Sequence, residues 1–579
     1  MSPEPIPKRW YLASPAPPEH MARFPQLSPI IVQLLYNRGI TDPASVHTFL
    51  NGSNDTNPFK LPGLPDAITR LRQALRAGER IVVYGDFDTD GVTATALLVQ
   101  TLRALGGRVK PYIPHRVDEG YGLHKSALTR IARLGASVVV TVDCGVRSVD
   151  EVQHANQLGL DMIITDHHSI GPTLPPAYAI VNPKLPGTPP PAMNLAGVGV
   201  AFKLAQGLLR SHQRTPVTRS TVRLNEEDLL DLVALGTVAD LVPLVGENRS
   251  LVSRGLERLN RMERPGVEAL CRWSSIGPGG VDVNAISYAL APRLNAAGRI
   301  AHAKIAYQLL ETDYPAEAEL RARELDRLNR ERRQWTTEAH EQARELALSR
   351  SNGGRLLFAA APDFKSGIVG LVASRLVDEF YLPAVIAEIG EPFSRGSARS
   401  IPEFHITRAL DKCADLLVRY GGHAAAAGFT VRTESLERLA EQLQHYALQA
   451  LGDQELCPTL HIDAEIPLAQ LSGPFHRILQ QLEPCGYANP APLFLSRNVK
   501  LLYHKNVGSD GQHLKLTVSD GQAVWDAIAF RQGHWAGRLP DAIDAVYHLE
   551  VNEWNGERRL QLNIQDLRPA GQGNRIQNM

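Results

Sequence analysis

The segment Val83-Tyr84-Gly85-Asp86-Phe87-Asp88-Thr89-Asp90-Gly91 constrains this chain most. It sets three carboxylates at alternate positions directly behind the apolar run Ile81-Val82-Val83. Like charges packed so closely repel one another, which raises their pKa values or costs stability unless something positive sits among them. A divalent metal is the simplest occupant, provided the chain supplies further ligands.

It does. Ala136-Ser137-Val138-Val139-Val140-Thr141-Val142 runs into Asp143-Cys144-Gly145, and Met162-Ile163-Ile164-Thr165 runs into Asp166-His167-His168. Later, Leu235 to Leu244 carries Asp240 in an otherwise apolar stretch. The runs that precede Asp86, Asp143 and Asp166 are short, β-branched and flanked by helical patterns, so they read as buried parallel strands. In open α/β sheets ligands gather outside the carboxyl ends of the strands, which is where these polar clusters fall. Asp86, Asp88, Asp90, Asp143, His167 and Asp240 form a set rich in carboxylate oxygen, suited to Mn²⁺ or Mg²⁺ rather than to a thiolate zinc site. They are too many for one ion with open positions and suit two ions about 4 Å apart, the arrangement that clamps a phosphoester.

Composition narrows the class. The 579 residues suggest roughly four domains. Five cysteines form no CxxC pair and no disulfide pattern. Cys144 reads as a small residue filling a strand end, since no partner base accompanies it. Met1 to Leu12 is proline-rich without an apolar core, so no signal peptide is expected. No apolar run of about eighteen residues offers a membrane span, and a cytoplasmic protein is expected. Lysine plus arginine equals aspartate plus glutamate at 61 each. Duplex-coating proteins are usually basic, but a nuclease whose metal site concentrates acidic residues fits a neutral total as well. No Gly-Lys pair occurs, which excludes a Walker A loop; Gly197-Val198-Gly199 lacks the third glycine of a dinucleotide fingerprint and reads as a packing device.

The ordered motifs resemble a known family. Asp86-x-Asp88-x-Asp90-Gly91, Val142-Asp143-Cys144-Gly145, Asp166-His167-His168 and Gly236-Thr237-Val238-Ala239-Asp240 are similar to the four motifs of the DHH phosphoesterase superfamily. The DxDxDG form of the first motif resembles the RecJ family of single-strand-specific 5′→3′ exonucleases. Superfamily members acting on pyrophosphate or cyclic dinucleotides carry a histidine upstream, where this chain has Tyr84 and Gly85. The likeness continues through Pro292 to Arg299, Gly396 to Pro402 and Gly421 to Phe429, covering nearly the whole chain. One departure stands out. The family's Trp-His-Gln-Gly is replaced by Phe364-Lys365-Ser366-Gly367, so no role passes to Lys365.

The patterns and the resemblance together imply an α/β protein. Residues 1–51 are a lead with a helix-like stretch at Pro29 to Leu35, and 52–264 a doubly wound parallel-sheet DHH domain. A helix is expected from Thr93 to Leu105, its free N–H groups facing a metal-held phosphate. Residues 265–313 connect to a long charged helix, 314–350, read as a spacer about 50 Å long with solvated faces. Residues 351–455 are a smaller α/β domain of DHHA1 type. Residues 456–570 form a barrel of OB type, whose strand pattern suits stacking of single-strand bases; Trp525, Trp535 and Trp554 are stacking candidates, with core packing expected for at least one of them. The tail, 571–579, is expected to be disordered.

The expected chemistry is phosphodiester hydrolysis of single-stranded DNA, 5′→3′, releasing 5′-mononucleotides in recombination and repair. Asp88, Asp90, Asp143, His167 and Asp240 would hold two Mn²⁺ or Mg²⁺ ions, with Asp86 a ligand or an orienting neighbour. His168 would stabilise the charge that develops on phosphorus-bound oxygen, and Asp166 would fix an imidazole tautomer. Ser397, Arg399 and Ser400 would seat the 5′ end. Arg293, Asn295 and Arg299 are phosphate-contact candidates, and His423 would touch the scissile phosphate. The resemblance further implies a monomer working with a single-strand-binding protein and a helicase. Two alternatives remain: a phosphoesterase for oligonucleotides or pyrophosphate with the same metals, and a non-catalytic DNA-binding replication scaffold, which would normally have lost metal ligands.

Overall fold

Alternate residues of the three apolar runs face opposite sides of one sheet, and both sides are covered. Ile81, Val83, Val140 and Ile163 pack into one core, while Val82, Tyr84, Val139 and Ile164 pack into another. Strands buried on both faces are what near-continuous β-branched runs produce. Each fully buried aliphatic side chain contributes about 1.5–3 kcal/mol. The protein is described as a computed structural model over residues 6–52, 55–116, 118–218, 221–351, 354–508, 510–554, 557–571 and 576–578. It divides into two compact units, one of Ser53–Glu455 with Gly486–Ala488, the other of Met1–Gly52, Leu456–Cys485 and Asn489–Met579.

In the larger unit, β1 (Arg80–Gly85), β2 (Arg108–Tyr112), β3 (Val138–Val142), β4 (Asp161–Thr165) and β5 (Ala179–Val181) form a fully parallel sheet of order β2-β1-β3-β4-β5. Helices α1 (Thr89–Ala104), α2 (Gly197–Arg214) and α3 (Leu230–Ala239) share one core, and Lys125–Arg133 and Val149–Gln157 pack in the other. The doubly wound expectation is met. Helix α4 (Ala291–Ile300) precedes α5 (Pro315–Ser351), whose 37 residues extend about 55 Å.

The spacer reading of α5 needs correction. Ala318, Ala322, Leu325 and Leu328 are buried in the core beneath the parallel sheet, whereas Ala339, Ala343 and Ala347 are buried in a second core. One helix is thus built into both. Its exposed Arg327 and Arg330 do form i,i+4 ion pairs, with Glu331 and with the buried Asp326. The second core lies under β6 (Leu357–Ala361), β7 (Ala384–Glu388), β8 (Phe393–Arg399), β9 (Leu417–Gly422) and β10 (Ala426–Arg432), a mixed sheet of order β9-β10-β8-β7-β6, with α6 (Val369–Phe380) against it.

In the smaller unit, β11 (Phe494–Val507), β12 (His513–Ser519), β13 (Val524–Ala529), β14 (Ala542–Trp554) and β15 (Glu557–Pro569) pair in the order β11-β12-β13-β15-β14, and β14 returns to β11. That last pairing closes a five-stranded barrel. The lead is part of this unit rather than a separate piece: Ile31, Leu34, Leu35, Val46 and Phe49 enter the barrel's core. Of the tail expected to be disordered, Ile576–Asn578 pairs as a strand beside Arg9–Leu12, and residues 572–575 and 579 lie outside the described residues. Trp525 and Trp535 rest half-buried against the barrel core, and the Trp525 indole donates to the Leu468 carbonyl at 3.1 Å. The side chain of Trp554 lies outside the described residues. Among the described residues no helix is long and apolar enough to cross a membrane.

Candidate metal centre

Asp86-Phe87-Asp88 turns directly from β1 into α1. Asp88 is the N-cap, its Oδ1 accepting the Gly91 N–H at 3.0 Å. The helix therefore starts at Thr89 rather than at Thr93. Its first amides are also occupied within the chain, because Thr89 N donates to Asn295 Oδ1 at 2.8 Å. The Thr89 and Gly91 amides, expected to stand free at this terminus, thus clamp the acidic loop. A Cβ on Gly91 would lie 2.6 Å from Asp86 Cβ and 2.7 Å from Asp86 N, so the loop can fold back here only over glycine.

Asp90 lies in the first turn of α1 and points at the N-terminus of α2. Gly197 N donates to its Oδ2 at 2.7 Å and Val198 N to its Oδ1 at 2.8 Å. Gly197-Val198-Gly199 thus aims Asp90, and a Cβ on Gly197 would sit 2.7 Å from Asp143 Cβ. Asp143, just past β3, has φ +61°, a conformation costly for a non-glycine residue and typical of functional sites.

These placements converge. His167 Nε2 lies 3.1 Å from Asp143 Oδ1, 3.4 Å from Asp240 Oδ2 and 3.8 Å from Asp90 Oδ2. Three groups have ligand atoms all within 4.8 Å of one another: Asp86, Asp88 and Asp143; Asp90, His167 and Asp240; Asp143, His167 and His168. Asp86 Oδ1, Asp143 Oδ1 and His167 Nε2 are buried without a hydrogen-bond partner. Orphaned buried acceptors of this kind carry a large desolvation cost. Hard oxygens with one imidazole are the donor set that Mn²⁺ and Mg²⁺ accept, so the residues fit such ions.

The electrostatics agree. Burial, then the neighbouring aspartates, push Asp86 and Asp143 well above the ordinary carboxyl range. The same causes bring Asp90 up to about 7 and Asp240 up to about 9. Burial and the adjacent His168 push His167 down to about 3, which leaves it neutral with a lone pair to give. Asp166 differs. Burial would raise it, but it accepts from His168 Nδ1 at 2.8 Å, from the His168 and His167 amides and from Val146 N, and its carboxyl falls below the usual range. His168 is raised in turn, the Asp166 carboxylate outweighing burial. Asp166 therefore anchors His168, which itself belongs to the ligand group of Asp143 and His167.

A cationic cluster stands beside this basin, with Arg399 at the end of β8, Arg299 in α4 and Arg116 past β2. Arg399 donates to Ser397 Oγ at 2.9 Å, and Arg299 donates to the Gly367 carbonyl at 3.3 Å. Burial, then Arg116, Arg332 and Arg399, bring Arg299 down to about 9. His423, at the turn after β9, is lowered by burial and then by Lys184, His168 and Arg147, which puts it within electrostatic reach of the parallel sheet's edge.

Other candidates lie elsewhere. Arg293 bonds Asp326 of α5 at 3.1 Å and the Ala289 and Trp273 carbonyls, which braces α4. Asn295 holds the acidic loop. Ser400 donates to the Phe404 carbonyl at 2.6 Å and closes a turn. Lys365 places its Nζ 2.9 Å from the centroid of the Trp335 ring, tying the departure from the family pattern to α5.

Three residues beside the site escape a reading of motifs. The Arg116 guanidinium lies over the Phe87 ring at 4.7 Å, and Asp86 and Asp88 act on it. Tyr121 Oη is 3.2 Å from His168 Nδ1. Lys184 acts on Asp166 and Asp240. Arg116 and Tyr121 follow β2 and Lys184 follows β5, so the rule that put ligands at strand ends would have found them had the edge strands been read too.

Family models match three segments: the DHH family N-terminal domain at residues 80–237, the DHHA1 domain at 353–449 and the RecJ OB domain at 462–566. A single-stranded-DNA-specific exonuclease RecJ of Bacillus subtilis is 37% identical over 96% of this chain and 70% of its own. Its counterpart in Escherichia coli is 35% identical over 94% and 96%. The crystal structure of RecJ from Thermus thermophilus in complex with Mn²⁺ superposes with a TM-score of 0.82 at 30% identity, covering 97% of this chain and 79% of that one. A Mg²⁺ complex of the same protein superposes at 0.76. With likeness of this extent running through all three domains, the chain belongs to the RecJ family.

Proposed function

We propose that this chain is a metal-dependent exonuclease that hydrolyses single-stranded DNA from the 5′ end and releases 5′-mononucleotides during recombination and repair. The observation that carries this is the set of buried, orphaned acceptors at the carboxyl edge of a parallel sheet, beside a cluster of arginines. Asp86, Asp88 and Asp143 would hold one cation, and Asp90, His167 and Asp240 a second, with Asp143 facing both. Bound Mn²⁺ or Mg²⁺ supplies Lewis acidity toward the scissile phosphate and makes water acidic enough to attack at neutral pH. The chain's residues do the rest. Asp166 accepts from His168 Nδ1 and favours the protonated imidazole, which orients His168 toward the phosphate as its charge grows. His423 approaches from the second sheet. Arg399, Ser397, Arg299 and Arg116 receive the terminal phosphate, and a bound end sets polarity. The barrel, of OB type, binds single-stranded DNA.

Work in the cytoplasm suits five free cysteines, four of them buried. Monomeric action alongside a single-strand-binding protein and a helicase follows from kinship. The test is degradation of 5′-phosphorylated single-stranded DNA labelled at either end. Asp90→Ala and His167→Ala are each expected to abolish release of labelled mononucleotide from the 5′ end while circular dichroism stays unchanged. Full activity in both variants, or release starting from the 3′ label, would overturn the reading.

A further inference from the structure

Helix α3 ends at Ala239, Asp240 is its C-cap, and the next residue, Leu241, has φ +57°. That position after a helix favours glycine, which alone enters the left-handed region without a Cβ penalty. The chain uses glycine in this way at Gly52, Gly78, Gly106, Gly135 and Gly159, all with positive φ just past a helix. The other large apolar or aromatic side chains with positive φ among the described residues have an evident partner: Met262 packs against the core, and the Tyr381 hydroxyl bonds Glu403. Leu241 differs from both. Its neighbours Ala239 and Val242 pack against the core, yet Leu241 itself is 67% exposed. A strained backbone here carries an apolar side chain into solvent, one residue from a carboxylate 3.4 Å from His167.

We infer that Leu241 is a wedge that enters between the base of the nucleotide being removed and the next base of the strand. The inference rests on the nuclease reading above. Apolar side chains separate stacked bases by this means, at a cost of a few kcal/mol per step that rises steeply for a paired base. A wedge one residue from the metal ligands acts on the nucleosides flanking the scissile phosphate. It thereby adds a preference for unpaired ends to the chemistry of the basin.

Leu241→Gly suits the local backbone, so the variant is expected to melt no lower than the parent. The substrate is a 5′-phosphorylated oligonucleotide with 2-aminopurine as its terminal base and a phosphorothioate at the first linkage, mixed with the Mn²⁺-loaded enzyme. Unstacking raises 2-aminopurine fluorescence. The parent and Leu241→Met are expected to raise it several-fold on binding, and Leu241→Gly to bind without the rise. On ordinary oligonucleotides Leu241→Gly is expected to lose about tenfold in single-turnover rate, recovered when the second nucleotide is abasic and stacking is already absent. An unchanged fluorescence rise and rate in Leu241→Gly would overturn the wedge and leave the nuclease intact. An equal loss on abasic and ordinary strands would also overturn it, assigning the residue to Asp240 placement instead. A parent inactive on both strands would remove the nuclease reading and the wedge with it.

Discussion

Two clusters of buried charge lie in the same α/β unit, and they are built on opposite terms. Lys203 and Glu247, both fully buried, form an ion pair. Lys203 Nζ also donates to the Thr56 carbonyl and to Gln206 Oε1, each at 2.9 Å, and Thr56 N donates to Glu247. That charge is paired at home through Glu247 Oε1, while Glu247 Oε2 is left without a hydrogen-bond partner. The metal centre gathers five aspartates and a histidine held neutral, and leaves acceptors unmatched. A matched buried pair costs little more than an apolar pair of the same volume, whereas one broken partner costs much. An unmatched set is unstable by itself and becomes favourable only when a cation arrives. The first cluster serves the fold; on the function proposed above, the second serves the reaction.

Substitution should separate the two. Asp143→Asn is expected to lower the exonuclease rate by about 10³-fold. In metal-free buffer the same variant should melt at or above the parent, because a repelling charge is gone. Lys203→Ala should do the reverse, costing about 3–5 kcal/mol in urea unfolding while the rate per folded molecule stays close to the parent's. Replacing both partners, Lys203→Met with Glu247→Leu, should recover most of that stability. Equal effects on rate and stability at both clusters would dissolve the contrast.

The pH dependence sharpens it. Asp90 and Asp240 titrate in the fold at about 7 and about 9, against an ordinary 3.8. The folded state then holds protons that the unfolded chain has released. Their contribution to metal-free stability is full below about pH 4 and is lost as pH rises through 7 and 9. The metal-free melting temperature is expected to fall between pH 5 and 9, and saturating Mn²⁺ to flatten or invert that slope. A metal-free slope of the opposite sign would mean that the carboxylates are already matched. The smallest effects concern the anion pocket. Arg399→Ala should raise KM for 5′-phosphorylated strands about tenfold, roughly the worth of one charge-assisted contact, with less effect on 5′-hydroxyl strands. Ser400→Ala, which loses only a turn contact, should leave KM unchanged.

Much of this was legible in the sequence because strands and acidic motifs are local. Three apolar runs and the residues that follow them set the parallel order of β1, β3 and β4 and brought Asp86, Asp143 and His167 to one edge. The start of α1 was misplaced because Asp88 acts both as an N-cap and as a member of the acidic set, and composition alone does not reveal the cap. Arg293, Asn295 and Ser400 looked like ligand contacts because arginine, asparagine and serine serve equally well as internal braces. Their partners, Asp326, the Thr89 amide and the Phe404 carbonyl, are fixed by packing or by a local turn. The lead joins the barrel unit because its apolar residues find their core beyond residue 456, a separation that no local pattern encodes.

The central claim is that like charges at the sheet's edge are held together by cations. Anomalous diffraction from crystals equilibrated with manganese tests it directly. Two peaks are expected, one in reach of Asp86, Asp88 and Asp143 and the other in reach of Asp90, His167 and Asp240. A basin without anomalous density at saturating manganese would contradict the account.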